Sequence, residues 1–311
     1  MAKQFMARGA GKAFVLSQVD LSRSTYHYRP RDGKRGRKPP GHTLKINAAS
    51  VPDAELKREI GELLSRDFVR YGYTKVTHHL KGRGYLINRK KVYRLMREEG
   101  LLLPRRGRSS AKRTLVGGAR VNPDRPLRLL EMDIKYLYVH GEATNAYLLT
   151  VLDTFSRRAL GYRLGKKMRK REVRGLLEEV LEALPALEGM VVRCDNGSQF
   201  IAGMVREYLK ERGIRQEFTH VGTPEENAHI EAFHSILEAE VERAYEFDTF
   251  AELEEAIARY FRFYNSERIH SSLGYMSPDA FLSKHLGDEL SSELEGVLQD
   301  SDLFVKMLSN Q

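Results

Sequence analysis

Residues 127–164 read LRLLEMDIKYLYVHGEATNAYLLTVLDTFSRRALGYRL, and this stretch decides the fold of the larger part of the chain. It contains three runs that are rich in β-branched, aromatic and leucine residues, at 127–139, 144–153 and 157–164. A Gly-Glu pair and a Ser-Arg pair separate these runs. Short apolar runs with such punctuation predict three consecutive antiparallel strands.

The sequence that follows alternates helical and strand patterns. Apolar runs at 190–194 and near 214–218 have the length of strands. The periodicity predicts helices over about 168–184, 199–212, 226–242 and 249–265. This order indicates a mixed α/β domain at residues 125–285.

Residues 50–104 predict a separate all-helical domain. Ser50 and Asp53 form a capping-box pattern, and the apolar residues that follow fall on one face of a first helix. A second helix begins at Thr74 and ends at the glycines of KGRGY. Asn88 caps a third helix, which Gly100 closes.

The third helix has an apolar face and a basic face. Its apolar residues can face a core, and its basic residues, which we assign to DNA contact, are Lys90, Lys91, Arg94 and Arg97. Three short helices that end in a basic one indicate a helix-turn-helix module, whose last helix enters a major groove. A small bundle with a solvated basic face is the alternative.

Charge divides the chain into two parts. Residues 1–120 hold 29 Lys and Arg against 9 Asp and Glu, a net charge of +20, whereas the remaining residues carry −10. Such a basic segment attracts a polyanion, of which nucleic acid is the commonest. A merely solvated basic surface is the alternative interpretation.

Three segments lie outside the two domains. Residues 1–49 form a basic arm or linker that we expect to be poorly ordered apart from an apolar piece at 14–16. Residues 105–124 are rich in Gly and Arg and predict a linker, in which Arg105 and Arg106 are further candidates for DNA contact. Residues 286–311 are an acidic tail.

Composition limits the location of the protein. The 311 residues include one cysteine, Cys194, so the chain forms no internal disulfide. No apolar run approaches the roughly 18 to 20 residues that cross a bilayer, and the first residues lack the apolar stretch of a secretory signal. We therefore expect a reducing, cytoplasmic location and no membrane segment.

Three acidic residues lie next to apolar neighbours. Asp133 is within the first strand, Asp195 directly follows the strand at 190–194, and Glu231 is in a helix. Such acids require a cation or hydrogen bonds. Mg²⁺ prefers carboxylates, and two such ions promote reaction at a phosphodiester. Spacing alone leaves two interpretations open, namely a metal site or surface and capping carboxylates.

A family resemblance rests on seven segments and one spacing. Thirty-five residues separate Asp195 from Glu231. The segments are SRSTYHYRP (22–30), YGYTKVTHHLKGRGYLINRKKVYRLMREEGL (71–101), MDIKYLYV (132–139), LDTFSRRALGY (152–162), RCDNGSQF (193–200), PEENAHIEAFHSIL (224–237) and YFRFYNSERIHSSLGYMSP (260–278). With these features the chain resembles the OrfB-type DDE transposases of the insertion-sequence family three group, which are relatives of retroviral integrases.

The resemblance implies a ribonuclease H-like catalytic core, a mixed five-stranded sheet with flanking helices, preceded by the helix-turn-helix domain. It implies that Asp133, Asp195 and Glu231 are the catalytic residues and hold two Mg²⁺ ions, for which Mn²⁺ could substitute. It further implies a DNA transposase that binds terminal inverted repeats, cleaves a strand, and lets the resulting 3′-hydroxyl attack another phosphodiester.

The implied partners are DNA, further copies of the chain, and a partner or fusion from an upstream reading frame. The DNA comprises the terminal inverted repeats and the target. The implied location is the nucleoid of a bacterial cell.

The sequence departs from the family pattern at two positions. Glu238 stands where Lys or Arg often lies two turns after the catalytic Glu, and no Trp precedes Asp133. Contact with the DNA end must come from elsewhere, and His234 and Arg268 are candidates. His234 could instead be packed or solvated, and Arg268 could instead support the structure. Asp153, which ends the second strand, is interpreted as a cap or hydrogen-bond acceptor.

Two alternative functions are weighed. A catalytically decayed DNA-binding regulator of the element would keep the helical domain, but the intact acidic triad argues against it. A plain ribonuclease H-like nuclease would explain the acids but not the basic helical domain.

Overall fold

The structure is a computed structural model that describes residues 2–28, 40–104, 123–184, 188–220 and 224–286. The chain divides into two compact units, Met1–Gly41 and His42–Gln311. Most of the predicted linker, including Arg105 and Arg106, lies outside the described residues. The acidic tail beyond Leu286 also lies outside them.

The first unit contains three short helices, α1 (Ala2–Ala7), α2 (Lys12–Gln18) and α3 (Arg23–His27). Val15 and Leu16 of the apolar piece are buried, and the Ser22 hydroxyl caps α3 by accepting the Thr25 N–H at 3.1 Å. These helices correct the prediction of poor order in this part of the chain. The basic run at 29–39 lies outside the described residues.

The second unit begins with a hairpin and three helices. Strands β1 (His42–Leu44) and β2 (Ser50–Pro52) pair antiparallel and precede α4 (Asp53–Leu64), α5 (Tyr73–Gly82) and α6 (Arg89–Glu98). The predicted capping box is wrong, because Ser50 belongs to β2 and the N-cap residue of α4 is Pro52, which makes no side-chain cap.

The two ends of α6 are formed as predicted. The Asn88 side chain accepts the Lys91 N–H at 2.9 Å, and Gly100 adopts the left-handed conformation (φ 69°) that ends a helix at low cost. The apolar face of α6, formed by Val92, Leu95 and Met96, is fully buried. The apolar face of the predicted third helix therefore faces the protein interior.

A five-stranded mixed sheet follows, in the strand order β5-β4-β3-β6-β7. Its strands are β3 (Leu129–Val139), β4 (Thr144–Asp153), β5 (Ala159–Gly165), β6 (Val191–Cys194) and β7 (Arg215–Phe218). The first three pair antiparallel, as predicted, whereas β6 lies parallel to β3 and β7 parallel to β6. This is the mixed sheet that the family resemblance implies.

Helices cover both faces of the sheet. They are α7 (Lys170–Glu182), α8 (Gly203–Glu211), α9 (Ala228–Leu237), α10 (Phe250–Ser266) and α11 (Pro278–His285). A 3₁₀ turn at Pro224–Asn227 leads into α9, and a π-helical turn at Glu238–Glu242 extends it. Strand residues alternate between the faces, so Met132 packs with Val173 of α7, whereas Leu137 belongs to the cluster that contains Phe233 of α9.

The helical domain packs directly against the mixed α/β domain. Phe68, which follows α4, is buried and makes an edge contact with Tyr260 of α10, with ring centroids 5.4 Å apart. His78 of α5 stacks on Tyr275 at 3.4 Å. The two domains therefore share one apolar cluster. No helix among the described residues is long and apolar enough to span a membrane.

Candidate active site

Asp133 and Asp195 lie side by side at one point of the sheet. In the parallel pairing of β3 with β6, Met132 is opposite Cys194, and each aspartate is the next residue along its strand or just beyond it. Burial raises the pKa of the Cys194 thiol to about 12, and the carboxylates of Asp195 and Asp133 contribute to this rise. Both carboxylates therefore lie close enough to the Cys194 thiol to raise its pKa.

Local backbone geometry orients both carboxylates. Asp133 Oδ1 accepts the N–H of Ile134 at 2.8 Å, and Asp195 Oδ1 accepts the N–H of Gly197 at 2.8 Å. A Cβ atom at position 197 would lie 2.9 Å from Asp195 Oδ1, closer than such atoms approach. A side chain at position 197 would therefore force the Asp195 carboxylate to shift from this orientation.

Helix α9, which carries the third predicted residue, approaches Asp133. His234 Nδ1 lies 3.5 Å from Asp133 Oδ2, and Glu231, which is exposed, precedes His234 by three positions on the same helix. Residues three apart lie on one helix face. The side chain of His234 is mostly buried, and its Nε2 has no hydrogen-bond partner. His234 is thus a neighbour of Asp133.

The three carboxylates do not form a closed cage. Within the described part of the chain, no group of three or more His, Cys, Asp or Glu side chains is arranged to hold a metal ion. Asp195 and Glu231 are exposed and Asp133 is half-buried. Since carboxylate oxygens are the ligands that Mg²⁺ prefers and Mg²⁺ keeps several waters, an open set of three acids fits this ion in donor chemistry.

Asp153 has the structural role that its sequence predicts. It is fully buried, and its oxygens accept the N–H groups of Leu127 at 3.1 Å and Ser156 at 2.9 Å. Burial raises the pKa of its carboxyl group, and the hydrogen bonds oppose this rise. Asp153 closes the turn after β4.

Glu131 is a fully buried acid that the sequence analysis did not identify as a site residue. Its Oε2 accepts the N–H groups of His229 at 3.0 Å and Ile230 at 2.9 Å, and its Oε1 is 3.0 Å from His229 Nδ1. These two N–H groups belong to the first turn of α9, whose N-cap residue, Asn227, makes no side-chain cap. An acid between Leu130 and Met132 was the available signal.

Arg193 pairs with Glu131 across β3 and β6 and is also buried. Its guanidinium donates to Glu217 Oε2 of β7 at 2.8 Å and to the carbonyl oxygen of Glu226 at 3.2 Å, and it lies 3.9 Å from Glu131 Oε1. Glu226 is in the 3₁₀ turn that leads into α9. Glu131 and Arg193 together hold the beginning of α9.

The predicted DNA-contact residues of α6 fall into two groups. Lys90 and Arg97 are exposed. Lys91 and Arg94 instead turn towards α4, where they pair with Asp53 at 2.7 and 2.8 Å. Although burial alone would raise it, these two cations hold the pKa of the Asp53 carboxyl below its usual value. Fewer basic side chains of α6 therefore point away from the protein than its sequence suggests.

Aromatic residues complete this outward face. Tyr93 of α6 and Tyr73 of α5 are both exposed, and their rings meet edge to face with centroids 5.3 Å apart. Arg89, at the start of α6, is also exposed. The sequence analysis assigned none of these three residues to the site, although the four-residue spacing of Arg89, Tyr93 and Arg97 places them on one helix face.

Polar residues of the family segment at 260–278 make their contacts within the protein. Arg268 donates to both carboxylate oxygens of Glu240 at 2.8 Å, and both residues are buried. Asn265 bonds the backbone of Ala159 through both its oxygen and its nitrogen. Of the two roles considered for Arg268, this arrangement favours structural support. Glu238, the departure from the family pattern, accepts hydrogen bonds from Arg243.

Family comparisons match both domains. Residues 123–224 match an integrase core domain family, and residues 212–278 match a second integrase core domain family. Residues 52–109 match an HTH-like domain family.

Relatives of known description span most of the chain. The transposase InsK for insertion sequence element IS150 of Escherichia coli strain K12 is 30% identical over 276 residues, which are 85% of this chain and 90% of that protein. The transposase for insertion sequence element IS904 of Lactococcus lactis is 29% identical, over 68% of this chain and 87% of its own length.

Two solved structures are similar to the chain at low sequence identity. A chain of the simian T-cell lymphotropic virus intasome is 15% identical, with a TM-score of 0.44, and the match covers 74% of this chain and 76% of that one. The HTLV-2 integrase catalytic core domain in complex with magnesium is 16% identical, with a TM-score of 0.36, over 48% of this chain and 94% of that one.

The matched domains, and a 30% identical relative of which the chain covers 90%, agree with the mixed sheet and the helical domain described above. The chain therefore belongs to the integrase-core transposases of bacterial insertion sequences, the family that includes the transposases of IS150 and IS904, and is a DNA transposase.

Proposed function

We propose that Asp133, Asp195 and Glu231 are the catalytic carboxylates of this transposase and that they hold two Mg²⁺ ions, with Mn²⁺ as a possible substitute. The observation that supports this most directly is the pairing of β3 with β6, which puts two aspartates next to each other. The contact of His234 with Asp133 further supports it, because His234 belongs to α9, the helix that carries Glu231.

The donor set suits the chemistry of phosphodiester cleavage. Bound divalent ions would neutralise charge at the reacting phosphate and activate the attacking oxygen. Asp195 and Glu231 are exposed, so DNA can approach them. Bound cations would also offset the mutual repulsion of the three carboxylates.

The proposed reaction needs no covalent link between protein and DNA. A water molecule attacks the phosphodiester at the element end and releases a 3′-hydroxyl. That hydroxyl then attacks a second phosphodiester, so that one new phosphodiester bond forms, one breaks, and a new 3′-hydroxyl leaves. The acidic residues orient the reacting groups, and they are neither acylated nor phosphorylated.

We assign recognition of the terminal inverted repeats to the outward face of α6. This face presents the exposed residues Arg89, Lys90, Tyr93 and Arg97. In a helix-turn-helix domain the second helix of the motif, here α6, enters the major groove, where arginine reads guanine and apolar groups contact the thymine methyl. Because Lys91 and Arg94 pair with Asp53, we propose that these two residues support the helix instead of contacting DNA.

The remaining partners are proposed on family grounds. Joining two element ends requires two active sites, so we expect a dimer or a larger assembly on DNA. An upstream-frame partner or fusion would add further DNA contacts. Binding to chromosomal DNA would place the protein on the bacterial nucleoid.

The test uses a labelled duplex that carries one terminal repeat of the element encoding the protein. Asp195→Asn is expected to abolish Mg²⁺-dependent cleavage and joining while DNA binding persists or strengthens, because one negative charge near phosphate is removed. Glu246→Gln, at an exposed position outside the site, is the control and is expected to react like the wild type.

Three results would contradict the proposal. Cleavage by Asp195→Asn would show that the metal ligands are assigned wrongly. Binding without any cleavage by the wild-type protein would favour a decayed regulator. Cut ends that never join to target DNA would instead favour a plain nuclease.

A further inference from the structure

A buried polar cluster lies directly behind the proposed catalytic carboxylates. Glu131 precedes Asp133 by two positions on β3, and Arg193 of β6 lies two positions before Asp195, which directly follows that strand. Side chains two apart on a strand point to the same face. The cluster therefore occupies the same side of the sheet as the carboxylates, two residues earlier in the sequence of each segment.

The cluster supplies the N-terminal cap of α9 from a different element. The first N–H groups of a helix need acceptors, which a side chain of the N-cap residue usually provides. Asn227 provides no such bond, and Glu131, 98 and 99 positions away in sequence, accepts the N–H groups of His229 and Ile230 instead. The negative carboxylate is also favoured by the positive end of the helix dipole.

Arg193 fixes the segment that enters the same helix. It bonds the carbonyl oxygen of Glu226 at 3.2 Å and is itself anchored by Glu217 on β7. Side chains of two adjacent strands, β3 and β6, thus bond α9 and the turn that leads into it, and Glu217 of β7 anchors one of these side chains. Glu231 follows the capped residue Ile230 directly, so its backbone position relative to Asp133 depends on these bonds.

We infer that Glu131 is a positioning residue for metal binding, and that Arg193 assists it. Glu131 ties the helix that bears Glu231 to the strand that bears Asp133, which sets the distance between two proposed ligands from different elements. This inference rests on the proposed function, because it assigns a role at the same site. Residues that hold metal ligands in place change metal affinity by about 10- to 100-fold when they are removed.

The experiment measures Mn²⁺ binding to the full-length protein without DNA, by calorimetry, together with the Mn²⁺ concentration that gives half-maximal cleavage. Glu131→Ala is expected to raise both the Mn²⁺ dissociation constant and the Mn²⁺ concentration for half-maximal cleavage at least about tenfold. Glu131→Gln keeps an oxygen that can accept the two N–H groups but loses the charge, so a smaller rise is expected. Amide hydrogen exchange at His229 and Ile230 should accelerate in Glu131→Ala.

Asp153→Asn is the matched control. Asp153 is equally buried in the same domain and also accepts backbone N–H groups, but none of them belongs to α9. It should lower thermal stability while the Mn²⁺ dependence stays within about twofold of the wild type, well short of the effect expected of a residue behind the ligands. Should Glu131→Ala fail to fold, Glu131→Gln gives the answer.

Two outcomes would overturn the inference. If both Glu131 variants lose stability but bind Mn²⁺ as the wild type does, Glu131 has only a structural role, and the proposed function stands. If Asp195→Asn also binds Mn²⁺ like the wild type, the acidic triad is not a metal site and both proposals fall.

Discussion

Three acids of the catalytic domain have similar apolar neighbours in sequence and different surroundings in the structure. Asp153 and Glu131 are fully buried, and backbone N–H groups surround their oxygens. Asp133 is half-buried and has one oxygen facing His234. A buried carboxylate that accepts several N–H groups is satisfied by the protein, whereas a half-buried one can still take an external ligand. Burial therefore separates the acids that the protein satisfies from the proposed catalytic one here.

Gly197 gives a prediction at the scale of one residue. Gly197→Ala would press a Cβ atom against Asp195 Oδ1, at 2.9 Å in the present geometry, and so displace the carboxylate. Displacement of a reacting group by about 1 Å can cost up to about 100-fold in rate. We expect a loss of roughly 10- to 100-fold in strand cleavage with DNA binding unchanged.

Gly203→Ala is the control for Gly197→Ala. A Cβ atom at position 203 would meet only Glu207 Oε1, at the ordinary contact distance of 3.8 Å. Cleavage rates on the same duplex should therefore match the wild type. Equal rates for both alanine variants would show that Asp195 does not need its present orientation.

Helix α6 shows how an element divides its charges between two tasks. Arg94 and Arg97 are three positions apart, yet Arg94 pairs with Asp53 and Glu98, whereas Arg97 is exposed. The first arginine fastens α6 to α4, and the second is available to DNA. Substitution of each should therefore change a different measurable quantity.

Arg97→Ala should weaken DNA binding. A lost phosphate contact lowers the slope of log K against log salt by about one, whereas a lost base contact costs about 1–3 kcal/mol on the specific site only. Binding to the terminal repeat and to unrelated DNA at several salt concentrations distinguishes these cases. An unchanged affinity and slope would remove Arg97 from the DNA interface.

Arg94→Ala should act on stability and leave the salt slope unchanged. It removes one of the two cations that Asp53 contacts within the helical domain. A partly exposed pair of this kind contributes up to about 1 kcal/mol to the free energy of unfolding. Denaturant unfolding measures this loss. A changed salt slope would instead return Arg94 to the DNA-contact residues.

At the scale of the whole molecule, the C-terminal segment joins the two domains. Tyr71 of the helical domain accepts the N–H of Ile269 at 3.1 Å through its hydroxyl, and His78 stacks on Tyr275. The buried pair of Arg268 and Glu240 lies beneath these contacts. Breaking one partner of a buried ion pair commonly costs 3–5 kcal/mol, so this segment is expected to hold the domains as one folded body.

His270 makes this body sensitive to acid. Burial, together with the nearby cations Arg268, Lys75 and Arg157, lowers the pKa of its ring to about 2. Below the usual histidine pKa of about 6.5, the unfolded chain therefore binds a proton that the folded protein does not. The free energy of unfolding should fall as the pH drops through this range.

His270→Phe is expected to remove this part of the pH dependence. Between pH 7.5 and 5.5 the wild type should lose about 1.4 kcal/mol more of its free energy of unfolding than the variant. Denaturant unfolding at both pH values measures the difference. Equal losses in the two proteins would show that the His270 ring takes up a proton in the folded state.

The sequence by itself determined the elements and the placement of the acids along them. Alternation and apolar runs reveal strands, helical periodicity reveals α5, α6 and α10, and the Asn-Gly turn after β6 places Asp195 at a strand end. These features depend on neighbours within a few residues. The family motifs added the function.

Only the tertiary structure decided which polar groups meet. Glu131, which is distant in sequence, accepts hydrogen bonds from the first turn of α9. Arg94 bonds Asp53, and Arg268 bonds Glu240. Sequence periodicity does not predict such pairs. Each forms because a buried charge or N–H group needs a partner, and folding brings that partner near from a distant part of the sequence. The helices within residues 2–27, in which Val15 and Leu16 are buried, were not predicted from the sequence.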